Sequence, residues 1–159
     1  MGHSHALPEG IQSLPRVGVP VTPQISPQER IVSVHFGRRL SFDDIKSYAE
    51  SLWMDPRFDP EFSEIIDLSA VEQIDLSAEQ ALMLADFIDP FSVSAHRAFV
   101  ARTEFQVQAV RLHQILREEG VRNIGVFSSF ADARKWISDS TANRKRAAGS
   151  SLAPEKPRK

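Results

Sequence analysis

Apolar and polar residues alternate from Ile31 to Phe36, with Val32, Val34 and Phe36 on one side and Ile31, Ser33 and His35 on the other. A period of two predicts a strand, which Gly37 closes. Just before it, Val19 to Ile25 predicts a weak extended segment, confined to a sheet edge by Pro20, Pro23 and Pro27. The two form an edge hairpin. Further on the period lengthens. Ser41 opens a helix over about 42–54, with Asp44 placed to reach back to the free amide of Ser41. Its buried stripe is Ile45, Tyr48, Ala49, Leu52 and Trp53, and Asp55-Pro56 stops it.

The remaining pattern repeats this alternation. An apolar strand over 62–68 leads through a short loop to Ser77 and a helix from Ala78 to Asp89, ended by Pro90. A strand over 97–102 is followed by a helix from Thr103 that buries Phe105, Ala109, Leu112 and Leu116, with Gly120 as its C-terminal cap. A strand over 121–127 precedes a short last helix from Ser129, with Phe130, Ala133, Trp136 and Ile137 facing in. Strands alternating with helices predict an α/β fold: a mostly parallel four- to five-stranded sheet, right-handed crossovers, an N-terminal edge hairpin and about four helices. The alternation in the first long strand predicts that one sheet face is the wetter.

Composition narrows the class. The chain has 159 residues, 42% of them hydrophobic, enough for one core. No cysteine is present, which removes disulfides and thiolate chemistry and suits a reducing, cytoplasmic setting. No run approaches the roughly 18 apolar residues of a membrane span. Residues 1–19, rich in Pro and Gly, read as a flexible leader, 20–138 as the domain, and 139–159 as a basic flexible tail. His3 and His5 in the leader have the look of a disordered terminus, not of a metal site.

Charge separates the parts. From Ser138 onward six basic residues stand against two acidic ones, a balance of +4; residues 28–137 carry −6 of the net −2. An acidic body disfavours nucleic acid as the main partner, since phosphate demands the opposite sign.

The stretch 67–85, Asp-Leu-Ser-Ala-Val-Glu-Gln-Ile-Asp-Leu-Ser-Ala-Glu-Gln-Ala-Leu-Met-Leu-Ala, resembles the signature of the STAS domain, in which a strand and Asp-Leu-Ser lead to an acidic, serine-bearing turn that opens a helix. The passage from Gly37 to Ser41, an Asp-Pro loop, and Phe127 with Trp136 near the end resemble its SpoIIAA-like branch, the anti-sigma-factor antagonists. The resemblance covers about 20–138. It implies a regulatory or protein-interaction module without enzymatic activity or cofactor, a regulator or kinase as protein partner, or a homodimer. It places the phosphorylated serine at Ser77 and the preceding aspartate at Asp75. Leu76 and Ala78 depart from the family's serine and glycine.

From the residues alone, Ser77-Ala-Glu-Gln80 is also a capping box, like the helix starts at Ser41, Thr103 and Ser129, and such a cap stabilises by about 1 kcal/mol without any further role. A phosphate there would meet free amides, while Asp75 and Glu79 would repel it. On the helix that follows, Ala78, Ala81, Leu82, Ala85 and Ile88 share one face, Met83 and Phe87 lie opposite, and Leu84 stands between. That second face suits either burial under the Phe91 loop or a docking patch for a partner or second copy, formed with Asp75, Leu76 and Ala78.

No phosphate-binding glycine loop and no nucleophile elbow occur. Asp67, at a strand's C-terminal end, with Asp75, Arg102 and Arg111, forms a candidate ligand-binding set for a cation or anion; no metal site is expected. The alternative reading of the whole is a binding module for an apolar or lipid-like small molecule, with its pocket between the central sheet and the second and third helices.

Overall fold

A computed structural model describes residues 21–86, 89–117 and 123–151. The elements run β1 (Gln24–Ser26), β2 (Ile31–His35), β3 (Arg39–Ser41), α1 (Phe42–Met54), β4 (Ser63–Asp67), β5 (Gln73–Asp75), α2 (Ala78–Asp86), β6 (Arg97–Val100), α3 (Glu104–Arg117), β7 (Ile124–Phe127) and α4 (Phe130–Ser151). The five-stranded sheet has the order β1-β2-β4-β6-β7. Only β1 is antiparallel, pairing Ile25 with Val32 as the edge hairpin; β2, β4, β6 and β7 run parallel.

A second, two-stranded parallel sheet joins β3 to β5, with Leu40 opposite Ile74 and Ser41 opposite Asp75. Three residues are too few to show a period, which is why this pairing has no trace in the hydrophobic pattern. Arg38 reinforces it by donating to Glu72 at 2.8 and 3.0 Å.

The sheet is covered on both faces. Val32, Val34 and Phe36 pack with Tyr48 and Leu52 of α1, Phe99 of β6 and Val110 of α3. On the reverse face Ile31, Ile65, Ala98 and Val100 pack against Ala133 and Ile137 of α4. The expectation of a wetter face is therefore corrected: α4 closes it, and Ser33 is buried beside Ile31. At the end of β2, His35 remains exposed, stacked on Phe130 with ring centroids 5.4 Å apart.

All four helix caps read from the sequence are formed. Ser41 and Asp44 make a reciprocal box, as do Ser77 with Gln80 and Thr103 with Gln106. Ser129 accepts from the Asp132 amide at 3.1 Å. Gln106 does more than cap. Buried at 2% exposure, it also donates to the carbonyls of Ser69 and Val71, at 3.2 and 2.9 Å, and so pins the loop after β4.

Several helix faces depart from expectation. Trp53 on α1, Leu82 on α2, and Phe105 and Leu112 on α3 are about half exposed. An ideal 100° wheel assumes one broad contact surface, whereas these helices meet the sheet along a narrower stripe. On α3 that stripe is Gln106 and Val110. The expected Gly120 cap and the start of the strand at 121 fall outside the described residues.

The last helix is longer than its apolar pattern. It continues through Ser151, where the pattern predicts an end near residue 138 and a flexible tail. Along this extension Arg144 reaches the Ser94 carbonyl at 2.5 Å and ties the helix to the segment before β6, while Thr141 donates within the helix to the Ile137 carbonyl at 2.9 Å.

Candidate functional site

The turn into α2 faces outward. Ser77 is exposed, its hydroxyl accepting from the Gln80 amide at 3.1 Å. Asp75, closing β5, is ion-paired with Arg39 and accepts from Gln73 at 2.7 Å. Met83 is exposed, next to exposed Leu82. Leu84 and Leu76 are half-buried. Phe87 lies outside the described residues. Ser77, Ala78 and Met83 are exposed and Asp75 is half-buried; Leu76, Ser77, Ala78 and Leu84 also border a partly open space.

That space is a cavity of about 380 Å³ between the sheet and α1, α2 and α3. Phe36, Ile66, Leu68 and Phe99 form its sheet side. Ile45 and Ala49 come from α1, Ala81 and Leu84 from α2, Ala109 and Leu116 from α3. Its volume falls within the roughly 300–1,000 Å³ of small-molecule sites. Ala78, Ala81 and Ala109 are the small residues that α2 and α3 contribute to its lining.

One end of the cavity is charged. Tyr48 donates to Glu64 at 2.6 Å. Arg97 lies 3.5 Å from the other Glu64 oxygen and donates to Asp89. Its guanidinium also sits over the Phe91 ring, 5.0 Å from the centroid. All four polar residues line the cavity. Glu64 is 3% exposed; burial of an unpaired carboxylate is costly, and the phenol and guanidinium offset that cost. Burial, reinforced by the Glu64 charge, pushes the Tyr48 phenol well above its usual range. For Arg97 burial works against the charge, but Glu64 and then Asp89 outweigh it and raise the pKa.

None of these four was singled out from the sequence for chemistry. A signal existed: Glu64 and Arg97 are charged residues within otherwise apolar strands, and the parallel register sets them directly opposite each other. A charge in a strand that is buried on both faces needs a partner.

The other acid-and-base candidates do not converge. Asp67 accepts from His35 at 2.9 Å and from the Ser69 amide at 2.9 Å. Asp75 belongs to the small sheet and pairs with Arg39. Arg102 donates to the Ser128 carbonyl at 3.1 Å, and Arg111 is exposed on α3. Neither Asp67 nor either arginine lines the cavity. Among the described residues no cluster of His, Asp and Glu could hold a metal ion, and no helix is long and apolar enough to cross a membrane.

The strand order and the covering helices make an α/β fold. It is SpoIIAA-like, matching a crystal structure of an uncharacterised DUF3478-family protein with a SpoIIAA-like fold from Shewanella loihica. The two share 18% identity with a TM-score of 0.51, over 74% of this chain and 91% of the other. No family profile and no curated protein matches the sequence.

Proposed function

We propose that this chain is a non-enzymatic STAS-type module that holds an apolar small molecule between its sheet and helices α1–α3. One observation carries the reading: a cavity of about 380 Å³ walled by aliphatic and aromatic side chains, with a few convergent polar groups at one end. Such a composition suits ligand capture, because apolar burial drives binding and a few polar groups orient the ligand. The test is native mass spectrometry and solvent extraction of the purified full chain, followed by titration with a neutral apolar probe, Nile red. Wild type is expected to bind one equivalent. Ala81→Leu, which fills the cavity from α2, is expected to lower affinity at least tenfold while circular dichroism stays unchanged. Absence of binding by wild type overturns the reading.

A second reading rests on the exposure of Ser77 and Met83. In it the surface of the α2 turn and helix docks a protein partner, with Ser77 phosphorylation as the gate. A phosphate at this position would gain from the free amides and positive end of α2. The test compares pull-downs with wild type, Ser77→Ala and Ser77→Asp; identical capture by all three removes the gate.

A further inference from the structure

The distal part of α4 is fastened at a place that titrates. Past Ile137 the helix is polar and mostly exposed, and so short a helix is marginal in water on propensity alone. Arg144 fastens it to the segment before β6. One guanidinium nitrogen donates to the Ser94 carbonyl at 2.5 Å and stands 3.3 Å from Nδ1 of His96. A guanidinium has donors and no acceptor. Nδ1 therefore offers its lone pair, and the imidazole is neutral with its proton on Nε2. The ring is half-buried and lies edge-on to Trp136 of the same helix, with centroids 5.4 Å apart. The charges on the surrounding elements are distributed as follows. Arg144 faces the ring from α4, while Asp139, Lys145 and Arg146 of that helix are exposed. Glu61, from the loop before β4, accepts from the Ser94 hydroxyl at 3.2 Å. Glu64 of β4 and Arg97 of β6 line the cavity. Burial, and then the Arg144 charge, lower the His96 pKa.

We propose that His96 and Arg144 form a pH-sensitive latch: the neutral imidazole keeps the distal part of α4 docked beside β6, and protonation releases it. The added proton turns Nδ1 from an acceptor into a donor. It also sets a second positive charge 3.3 Å from the guanidinium, and like charges this close disfavour the contact. The direction in pH follows. A histidine whose pKa in the docked state lies below the ordinary value, about 6.5, favours docking above that value and opposes it as pH falls below. Between the ordinary and the lowered value, docking weakens by up to about tenfold per pH unit, since one proton is taken up. Above neutrality the extension is thus part of the domain, and in mild acid it becomes a free arm. The latch is independent of what occupies the cavity.

Amide hydrogen exchange of the full chain at pH 7.5 and pH 5.5 tests this. Rates are expressed as protection factors, which remove the chemical pH dependence of exchange, and α1 serves as the internal reference. In wild type, protection from Ser140 to Gly149 is expected to fall at least threefold relative to α1 on going to pH 5.5. His96→Asn keeps an acceptor near the Nδ1 position but does not titrate, so its protection is expected to be the same at both pH values. Arg144→Gln removes the guanidinium, and its extension is expected to exchange fast at both; it decides the matter should His96→Asn fail to fold by circular dichroism. Equal protection of the wild-type extension at the two pH values overturns the latch. So does a pH-dependent fall that persists in folded His96→Asn or in Arg144→Gln.

Discussion

Tyr48 and Glu64 form a buried hydrogen bond of 2.6 Å that links α1 to the middle of the sheet. The phenol donates to a carboxylate that burial would otherwise penalise. Tyr48→Phe keeps the ring and its edge contact with Phe36 but withdraws the proton. Hydrogen bonds to charged groups contribute about 1.5–3 kcal/mol, so the variant is expected to unfold at lower urea, by roughly 2 kcal/mol. An unchanged midpoint would show that the acid is compensated without the phenol.

Asp67 gives a pH signature. Burial pushes its carboxyl up, but hydrogen bonds from Ser69 and then His35 outweigh this and hold it below its ordinary value. A carboxyl lowered in the folded state adds stability above its unfolded pKa, about 3.9, and loses it as pH falls through the folded pKa. The difference in Tm between wild type and Asp67→Asn is thus expected to be present near pH 5 and to vanish towards about pH 2. A difference that stays constant across that range contradicts the assignment.

Gly125 sits in β7 beneath an aromatic pair. A Cβ there would lie 2.6 and 2.8 Å from ring atoms of Phe127, and that ring is itself held against Trp136, with centroids 5.4 Å apart. Overpacking of this kind costs about 1–3 kcal/mol. Gly125→Ala is expected to lose that much in urea unfolding. Wild-type stability in the variant would mean that both rings shift freely.

Ser77 is a cap whatever else it does. Removing its hydroxyl leaves the Gln80 amide without its acceptor, at a cost of about 1 kcal/mol. Hydrogen exchange of Ser77→Ala should quicken in the first turn of α2 and leave α1 and α3 unchanged. Faster exchange throughout would place the serine in the global core instead.

Much of this was legible in the residues. The helix starts at Ser41, Ser77, Thr103 and Ser129 were readable because a capping box is a local device with both partners within one turn. The strand sequence and its parallel arrangement followed from alternation of periods. The unread parts depend on contacts distant in sequence. β3 and β5 are brief strands that exist only because each finds the other. Leu112 and Trp53 look like core residues on a wheel, yet exposure depends on where neighbouring helices stop. The cavity lies where the alternative reading put a pocket, between the sheet and the second and third helices, with α1 as a further wall; its charged end was not read, because Glu64 and Arg97 meet only through the pairing of β4 with β6.

The pairing of Ser41 with Asp75 puts the beginnings of α1 and α2 on one short strut. Tyr48 and Ala49 of the first helix, and Ala81 and Leu84 of the second, look into the same hollow from either side. A phosphate or a bound protein at the Ser77 turn would therefore sit two residues from the strut that also carries the start of α1.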